Sequence, residues 1–258
     1  MLSRYRLRNI TTVRGFLLET LFHRFAPMEH VLDNPPWNAL ISGNQNLYYG
    51  NDHIRYFDRD VSPFVGFKEN TKENFEELYH MVPEGRVFLF VAPVEDEIPA
   101  PWEVLNCIKG NQMIYEHGGA IGEPTLELTP LSQEHVPQML SLTKLTNPGP
   151  FAERTIDFGH YCGIFENGEL AAMAGQRLHA FNYAEVSAVC THPDHTGKGY
   201  ARQLLIHQIN RIRSAGEIPY LHVRSDNDRA IKVYESLGFV TRCNVWFSVI
   251  QKANKVQC

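Results

Sequence analysis

The sequence predicts an α/β fold in which a mixed sheet is flanked by helices and preceded by a second, degenerate α/β half. Short apolar runs alternate with helical patterns along the chain, and 43% of the residues are hydrophobic while 21% are charged. Glycines and a proline cluster over 117–124, where the chain divides into two parts. At 258 residues, the chain is long enough for two small domains. We therefore expect an N-terminal α/β half over 1–117 and a C-terminal domain over 118–258.

The sequence of the N-terminal half predicts few regular elements. A helix is expected over Thr71–His80, where Thr71 begins a capping pattern. Strands are expected over Phe64–Phe67 and Arg86–Ala92, a further helix over Pro101–Ile108 and a strand over Gln112–Glu116. Because the turn after Phe67 has no glycine that would let a phosphate approach, this half is expected to be structural or to shape a substrate site.

The first 25 residues combine five arginines and one glutamate with interleaved apolar residues. Two interpretations stay open: an amphipathic targeting or membrane-surface helix, and an ordinary first helix that packs on the rest of the protein. No apolar run approaches the roughly 18 residues that cross a bilayer, so no membrane partner is expected.

Charge and cysteine content narrow the classes of partner and compartment. The formal charge is −5, which does not favour a nucleic-acid partner. The five cysteines are scattered and form no CxxC pair. Free thiols in a reducing compartment are therefore expected, which favours a cytoplasmic protein.

The C-terminal half alternates strands and helices. Asn167-Gly168 predicts a tight hairpin between Tyr161–Glu166 and Leu170–Leu178. The other expected elements are the strand Thr125–Thr129, a helix from Ser132 to about Thr143, the strand Glu185–His192, the helix Gly199–Ser214, the strand Pro219–Val223, the helix Asn227–Leu237 and the strand Val245–Ile250.

A glycine-containing turn joins the strand that starts at Glu185 to the next helix. Gly197 and Gly199 permit positive φ and close approach of a ligand, and main-chain amides at a helix start attract anions. Lys198 adds a cation, so the turn predicts a site for a diphosphate or similar anion; a plain connecting turn is the alternative. The P-loop pattern fails because Gly199 follows Lys198, and the dinucleotide pattern fails because a third glycine is absent.

Two segments resemble signatures of the GNAT acyltransferases. The segment from Thr196 to Ala201 resembles the acetyl-CoA-binding signature Arg/Gln-x-x-Gly-x-Gly/Ala, with Thr196 in the place of the usual Arg or Gln. The segment from Asn227 to Phe239 resembles the second signature, Asn-x-x-Ala-x-x-x-Tyr-x-x-x-Gly-Phe. The resemblance covers about residues 124–250 and lies nearest the glycine N-acyltransferase-like branch.

The resemblance implies a GNAT-like mixed sheet and direct transfer of an acetyl or acyl group from acetyl-CoA to a primary amine, with no metal. Glu185 is then the expected general base if burial moves its pKa toward neutrality, and Tyr234 is the expected general acid for the thiolate. The alternatives are a Glu185 that is solvated or paired with an arginine, a Tyr234 that packs beneath the coenzyme, and an Asn227 that only caps its helix. The residues expected to contact the coenzyme are Val189, whose amide would meet the thioester carbonyl, with Cys190, Thr191, Thr196, Gly197, Lys198, Gly199, Tyr200, Ala201, Arg202, Asn227, Ala230 and Tyr234.

The acceptor is expected to be an amine of a small molecule, an amino acid or a peptide. Arg154 and Arg177 are candidates to hold an acceptor carboxylate, with surface ion pairs as the alternative. His192 and His195 have no third ligand nearby in the sequence, so we expect no metal site there. Two other functions stay open: a non-catalytic acyl-CoA binding or sensor protein, and a protein lysine or N-terminal acetyltransferase. We expect a monomer or a homodimer.

Overall fold

The structure is a computed structural model that describes residues 30–95 and 97–253. The two interpretations of residues 1–25 concern residues outside this range. The strands of the described range are β1 (Tyr48–Gly50), β2 (Ile54–Phe57), β3 (Val65–Phe67), β4 (Val87–Ala92), β5 (Trp102–Tyr115), β6 (Thr129–Pro130), β7 (Cys162–Glu166), β8 (Glu169–Ala180), β9 (Tyr183–Thr191), β10 (Ile218–Arg224) and β11 (Phe239–Lys252). Its α-helices are α1 (Pro35–Leu40), α2 (Lys72–Met81), α3 (Val136–Thr146), α4 (Tyr200–Ser214) and α5 (Asp228–Glu235).

The strands form one large mixed sheet and one small sheet. The large sheet has the order β4-β11-β5-β10-β9-β8-β7-β6, and the small antiparallel sheet has the order β1-β2-β3. Within the large sheet, β9 and β10 run parallel while the other neighbours run antiparallel. Helices lie on both faces, which confirms the predicted α/β class with a mixed sheet flanked by helices.

The two halves of the chain share the large sheet. Strand β5 belongs to the N-terminal half, yet it pairs with β10 on one side and with β11 on the other. Strand β4 extends the same sheet by pairing with β11. The expected boundary at 117/118 falls in the irregular segment 116–128. The division into two domains stays a prediction. Hydrogen bonds within the large sheet link the N-terminal half of the chain to the C-terminal half.

The faces of the large sheet have separate cores. Helices α4 and α5 cover one face, where Leu205 and Ile209 pack near Val186 and Leu221. Helices α1 and α3 cover the other face, and Met139 of α3 packs there in a cluster with residues of β8 to β10. We call these the α4 face and the α3 face.

Local capping and turn signals are where the sequence predicts them. Thr71 accepts a hydrogen bond from the Asn74 amide and begins α2. Asn167 and Gly168 have φ of 53° and 86° and join β7 to β8. These predictions are confirmed because such signals act within a few residues of the chain.

Three predicted elements differ from the structure. The helix expected over Pro101–Ile108 is wrong, since this segment is part of the 14-residue strand β5 and pairs along its length with β11. The strand expected over Thr125–Thr129 is reduced to Thr129 and Pro130, which pair with β7. The last strand is longer than expected and begins at Phe239. In each case, pairing with a distant strand decides the conformation.

Candidate active site

Strands β9 and β10 are paired only at their beginnings. Their parallel register ends where Tyr220 lies opposite Glu185. From that point β10 continues beside β5 to Arg224, while β9 continues beside β8 to Thr191. A gap between β9 and β10 therefore opens directly after Glu185, at the centre of the sheet.

A bulge lies along the gap. Ala188 has a φ of 53°, and the register between β8 and β9 shifts at the same place. A left-handed conformation is costly for a residue with a Cβ and often marks a functional segment. The bulge precedes Val189, whose amide is expected to meet a thioester carbonyl.

The glycine turn that follows β9 is open to ligands. Gly197 and Gly199 have φ of 83° and 81°, and a Cβ added at either would meet no protein atom within 4 Å. Gly199 is the N-cap of α4 and provides no side-chain cap. The first four amides of a helix have no acceptor within the helix, so this turn presents main-chain donors to an anion.

The side chains around the turn already have partners. Lys198 Nζ lies 3.0 Å from His195 Nδ1 and 3.7 Å from Glu166 Oε1. The hydroxyl of Tyr200 donates to the Glu166 carboxylate, and this hydrogen bond, with the charge of Lys198, lowers the Glu166 pKa. Thr196 Oγ1 donates to the Pro193 carbonyl oxygen at 2.9 Å. An anion at this turn would therefore be bound chiefly by the main chain.

Two other residues expected near the coenzyme have structural partners. Arg202 Nη1 donates to Ser236 Oγ at 3.1 Å. Asn227 Oδ1 accepts from the Ala230 amide at 3.1 Å and so caps α5. The cap interpretation of Asn227 is confirmed, and coenzyme contact by these residues stays a prediction.

Tyr234 and Cys190 are both protonated at neutral pH. Tyr234 is buried on the α4 face, and burial raises its pKa to about 12, with a further contribution from Cys190. Burial likewise raises the pKa of the Cys190 thiol to about 11. A protonated phenol can donate to a departing thiolate, whereas a protonated thiol is a poor nucleophile.

Glu185 is completely buried and accepts hydrogen bonds at both of its carboxylate oxygens. Arg177 Nε donates to Oε2 at 2.9 Å, and Arg177 Nη2 donates to Oε1 at 2.6 Å. The ring of His222 lies against the same carboxylate, with Nδ1 2.7 Å from Oε1. The Leu178 amide donates to Oε2 at 3.3 Å. These contacts occupy the acceptor positions of the carboxylate.

The pKa of Glu185 shifts in the direction opposite to the one expected. Burial alone raises the pKa, but the charge and hydrogen bonds of the Arg177 guanidinium, with smaller contributions from His222, outweigh burial and hold it at about 2. The expected shift toward neutrality is therefore wrong, and the arginine-paired alternative describes this carboxylate. Direct proton transfer to Glu185 requires one of its partners to move first.

The Glu185 contacts belong to a longer row of polar side chains on the α3 face. Gln112 Oε1 accepts from Arg242 Nε at 2.6 Å, while Gln112 Nε2 donates to the Leu32 carbonyl oxygen at 2.7 Å. These partners fix the amide orientation, so Gln112 Nε2 also donates to His222 Nε2 at 3.0 Å. His222 therefore carries its proton on Nδ1 and donates it to Glu185.

The polar row crosses neighbouring strands of the large sheet from β11 to β8 and ends on both sides in arginines. Arg242 Nη2 lies 2.6 Å from Asp33 Oδ1, in the N-terminal half. The members of the polar row are Arg242, Gln112, His222, Glu185 and Arg177. A single polar residue inside an apolar run is the signal for His222, whereas Gln112 follows Asn111 and has no such signal. Their alignment depends on β5 lying beside β10.

Arg177 and Arg154 differ in their surroundings. Arg177 is buried, pairs with Glu185 and lies with Cζ 4.7 Å from the ring centroid of Phe64. It is therefore neither a surface ion pair nor free for an acceptor carboxylate. Arg154 lies at the surface, with Nη2 2.8 Å from Asp157 Oδ2. In the part of the chain that the structure describes, no group of three or more His, Cys, Asp or Glu side chains is arranged to hold a metal.

Comparisons with known proteins agree with this geometry. Residues 161–247 match the family described as FR47-like protein. A solved structure of a putative acetyltransferase from the GNAT family of Novosphingobium aromaticivorans is 32% identical with a TM-score of 0.81, and the match covers 88% of this chain and 100% of that one. The chain belongs to the GNAT family. The expected family is thereby confirmed.

Relatives with named activities match about a third of this chain. N-alpha-acetyltransferase RimI of Mycobacterium tuberculosis is 38% identical over 84 residues, which cover 31% of this chain and 51% of RimI. L-amino acid N-acyltransferase MnaT of Escherichia coli is 32% identical over 80 residues, which cover 29% of this chain and 46% of MnaT. The chain thus spans about half the length of these curated relatives. Among the described helices, none has the length and apolarity that crossing a membrane requires.

Proposed function

We propose that this GNAT protein is an acetyl-CoA-dependent N-acetyltransferase that transfers an acetyl group directly to a primary amine. One observation carries the proposal: the edge of β9 that faces β10 is unpaired after Glu185. The gap lies at one end of this edge, and the glycine turn, with free space at Gly197 and Gly199, follows the other end. One elongated ligand with a diphosphate at one end and a thioester at the other suits both ends. The N-acetyltransferase relatives support the same activity.

The proposed coenzyme position follows β9. The amides between 197 and 201 bind the diphosphate, because they lie at the positive end of α4. The free edge of β9 from Val186 to Thr191 offers main-chain groups to the pantetheine arm, with the Val189 amide at the thioester carbonyl. Lys198 and Arg202 are exposed cations at the rim of the turn.

In the proposed reaction, a neutral acceptor amine attacks the carbonyl carbon, the C–N bond forms and the C–S bond breaks. Tyr234 gives its hydroxyl proton to the departing thiolate, because its pKa near 12 keeps it protonated until that step. Glu185 stays ionised and holds Arg177 and His222 in place. The amine loses its proton to water or to the Glu185–His222 pair after the pair rearranges.

The proposed acceptor is an α-amino group. One relative is named for N-alpha acetylation and the other for acylation of L-amino acids, so peptide N-termini and free amino acids are the two acceptor classes to compare. In this proposal the acceptor approaches from the α3 face, because this face carries Glu185 and His222. The described cysteines are free thiols, which supports the proposal of a cytoplasmic protein.

A non-catalytic acyl-CoA sensor is the second candidate. The state of Glu185 favours it, because the acceptor positions of this carboxylate are occupied by protein donors and its pKa is about 2. Such a carboxylate takes no proton at neutral pH in this arrangement. A sensor needs the gap and the turn but no base.

Calorimetry with acetyl-CoA, followed by thiol-release assays, tests both candidates. The acceptor panel contains peptides with free N-termini, the same peptides with blocked N-termini and an internal lysine, and free L-amino acids. Turnover with a free α-amino group supports the proposed transferase, and turnover only with the blocked lysine peptides assigns a lysine acetyltransferase. Binding without turnover supports the sensor, and absence of acetyl-CoA binding contradicts both candidates.

A further inference from the structure

The hydroxyl of Tyr161 is buried and has no hydrogen-bond partner among the described residues. Only 4% of the residue is exposed. Leaving a buried polar group unpaired is destabilising, so a native protein keeps such a group for a reason. A ligand that supplies the missing partner is one such reason.

The position of the Tyr161 ring is prepared by its neighbours. The ring lies over Gly175 of β8, where an added Cβ would come within 2.3 Å of the ring. Phe151 packs edge-on against the same ring, with centroids 5.8 Å apart. A glycine inside a buried strand weakens the strand, and here it gives the tyrosine its place. Any larger residue at Gly175 would displace the ring.

The strand register places Tyr161 beside the gap. Gly175 lies opposite Ser187, which is the second residue after the point where β9 leaves β10. Tyr161 and Cys190 belong to the same core on the α3 face. Tyr161 is therefore next to the segment of β9 that the proposed thioester follows.

The electrostatic surroundings keep this hydroxyl protonated. Burial raises the pKa of Tyr161, Arg177 acts against this, and Glu185 and Cys190 add to the increase. The same Cys190 thiol also contributes to the raised pKa of Tyr234, which lies on the α4 face. Two protonated tyrosines thus flank β9 at Cys190, one on each face of the sheet.

We propose that the Tyr161 hydroxyl donates a hydrogen bond to the acyl carbonyl oxygen of bound acetyl-CoA. This inference rests on the proposed function and adds a catalytic residue to it. When the amine attacks the carbonyl carbon, the electron pair of the C=O π bond moves to the oxygen, and it returns when the C–S bond breaks. A donor at that oxygen stabilises the charge that develops there. Tyr161 keeps its proton throughout.

Calorimetry of Tyr161→Phe with acetyl-CoA and with coenzyme A tests the proposal. Coenzyme A has no acyl carbonyl, so the variant is expected to bind acetyl-CoA about tenfold more weakly and coenzyme A as the wild type does. Removing an unpaired hydroxyl leaves the core filled, so the melting temperature is expected to stay equal or to rise. Tyr115→Phe is the control, because the Tyr115 hydroxyl is also buried but lies beside Arg213 at the far end of α4, away from the gap.

The possible results separate the two proposals. Wild-type protein that fails to bind acetyl-CoA contradicts the proposed function. Wild-type binding with an unchanged acetyl-CoA affinity in Tyr161→Phe overturns only the role of Tyr161, as does an equal loss for coenzyme A. Infrared spectra of bound acetyl-CoA labelled with carbon-13 at the carbonyl give a second readout. The carbonyl stretch is expected at higher frequency in Tyr161→Phe, and an unchanged stretch overturns the hydrogen bond.

Discussion

The two ends of β9 carry the two parts of the proposed site, and they are built differently. The turn after Thr191 is local, exposed and formed by consecutive residues around Gly197 and Gly199. The beginning of the gap at Glu185 is buried and held by residues of several strands. The turn leaves its main-chain donors for a ligand, whereas Glu185 uses its acceptors within the protein. Ligand binding is therefore expected to depend on the local turn, whereas the stability of the fold is expected to depend on the polar row.

The largest expected effect comes from separating the two halves of the chain. A fragment of residues 118–258 lacks β4 and β5, so it exposes edges of β10 and β11 and leaves His222 without Gln112. We expect no cooperative thermal unfolding in circular dichroism, while the full chain unfolds cooperatively under the same conditions. A fragment that unfolds cooperatively and protects the amides of β10 from hydrogen exchange would contradict this.

The next effect concerns the charge at the start of the gap. Glu185→Gln keeps the size of the side chain but leaves Arg177 buried without its counter-charge, which is expected to cost about 3–5 kcal/mol of unfolding free energy. Urea titration measures it. Combining Glu185→Gln with Arg177→Met removes the unpaired charge and is expected to restore part of the loss. A single variant that loses less than about 1 kcal/mol would show that the pair does not stabilise the fold.

Acid is expected to have a related effect. The folded-state pKa of Glu185 is about 2, below the value of about 4.3 for an unfolded glutamate. The contribution of this carboxylate is therefore complete above about pH 4.5 and is lost as the pH falls toward 2, by about 3 kcal/mol in all. Unfolding free energies between pH 7 and pH 3 measure the first part of this loss, about 2 kcal/mol, and Glu185→Gln should reduce the slope. Equal slopes for the two proteins would contradict the ion pair.

The smallest effect on stability is expected at the exposed end of β9. Gly199→Ala and Gly168→Ala both place a Cβ at positive φ, with φ of 81° and 86°, so each is expected to lose about 1 kcal/mol. Only Gly199→Ala is expected to weaken acetyl-CoA binding, by about tenfold, because its Cβ enters the anion site. Calorimetry and urea titration of the two variants measure this. Equal acetyl-CoA affinities would place the coenzyme elsewhere.

The same contrast explains how much the sequence predicts. The glycine turn, the Asn167-Gly168 hairpin and the Asn227 cap depend on residues close together in the chain, and the structure has each where it is expected. Strand β5 is different, because its 14 residues become a strand by pairing with β10 and β11, more than 100 residues later. The local pattern over Pro101–Ile108 contains no information about these distant strands.

The polar row cannot be predicted from local sequence patterns for the same reason. Gln112 meets Arg242 across 130 residues of sequence, and no spacing rule connects them. Glu185 is singled out by its place before the turn, but the direction of its pKa depends on Arg177 of the neighbouring strand. Sequence reasoning therefore locates this carboxylate and misses its charge state, which only the sheet register determines.

A crystal structure of the full chain with coenzyme A tests the central claim most directly, because it locates the diphosphate relative to β9. The account predicts diphosphate oxygens within about 3 Å of main-chain nitrogens between residues 197 and 201, and the thiol in the gap beyond Glu185. A diphosphate held elsewhere, with these amides facing solvent, would contradict it.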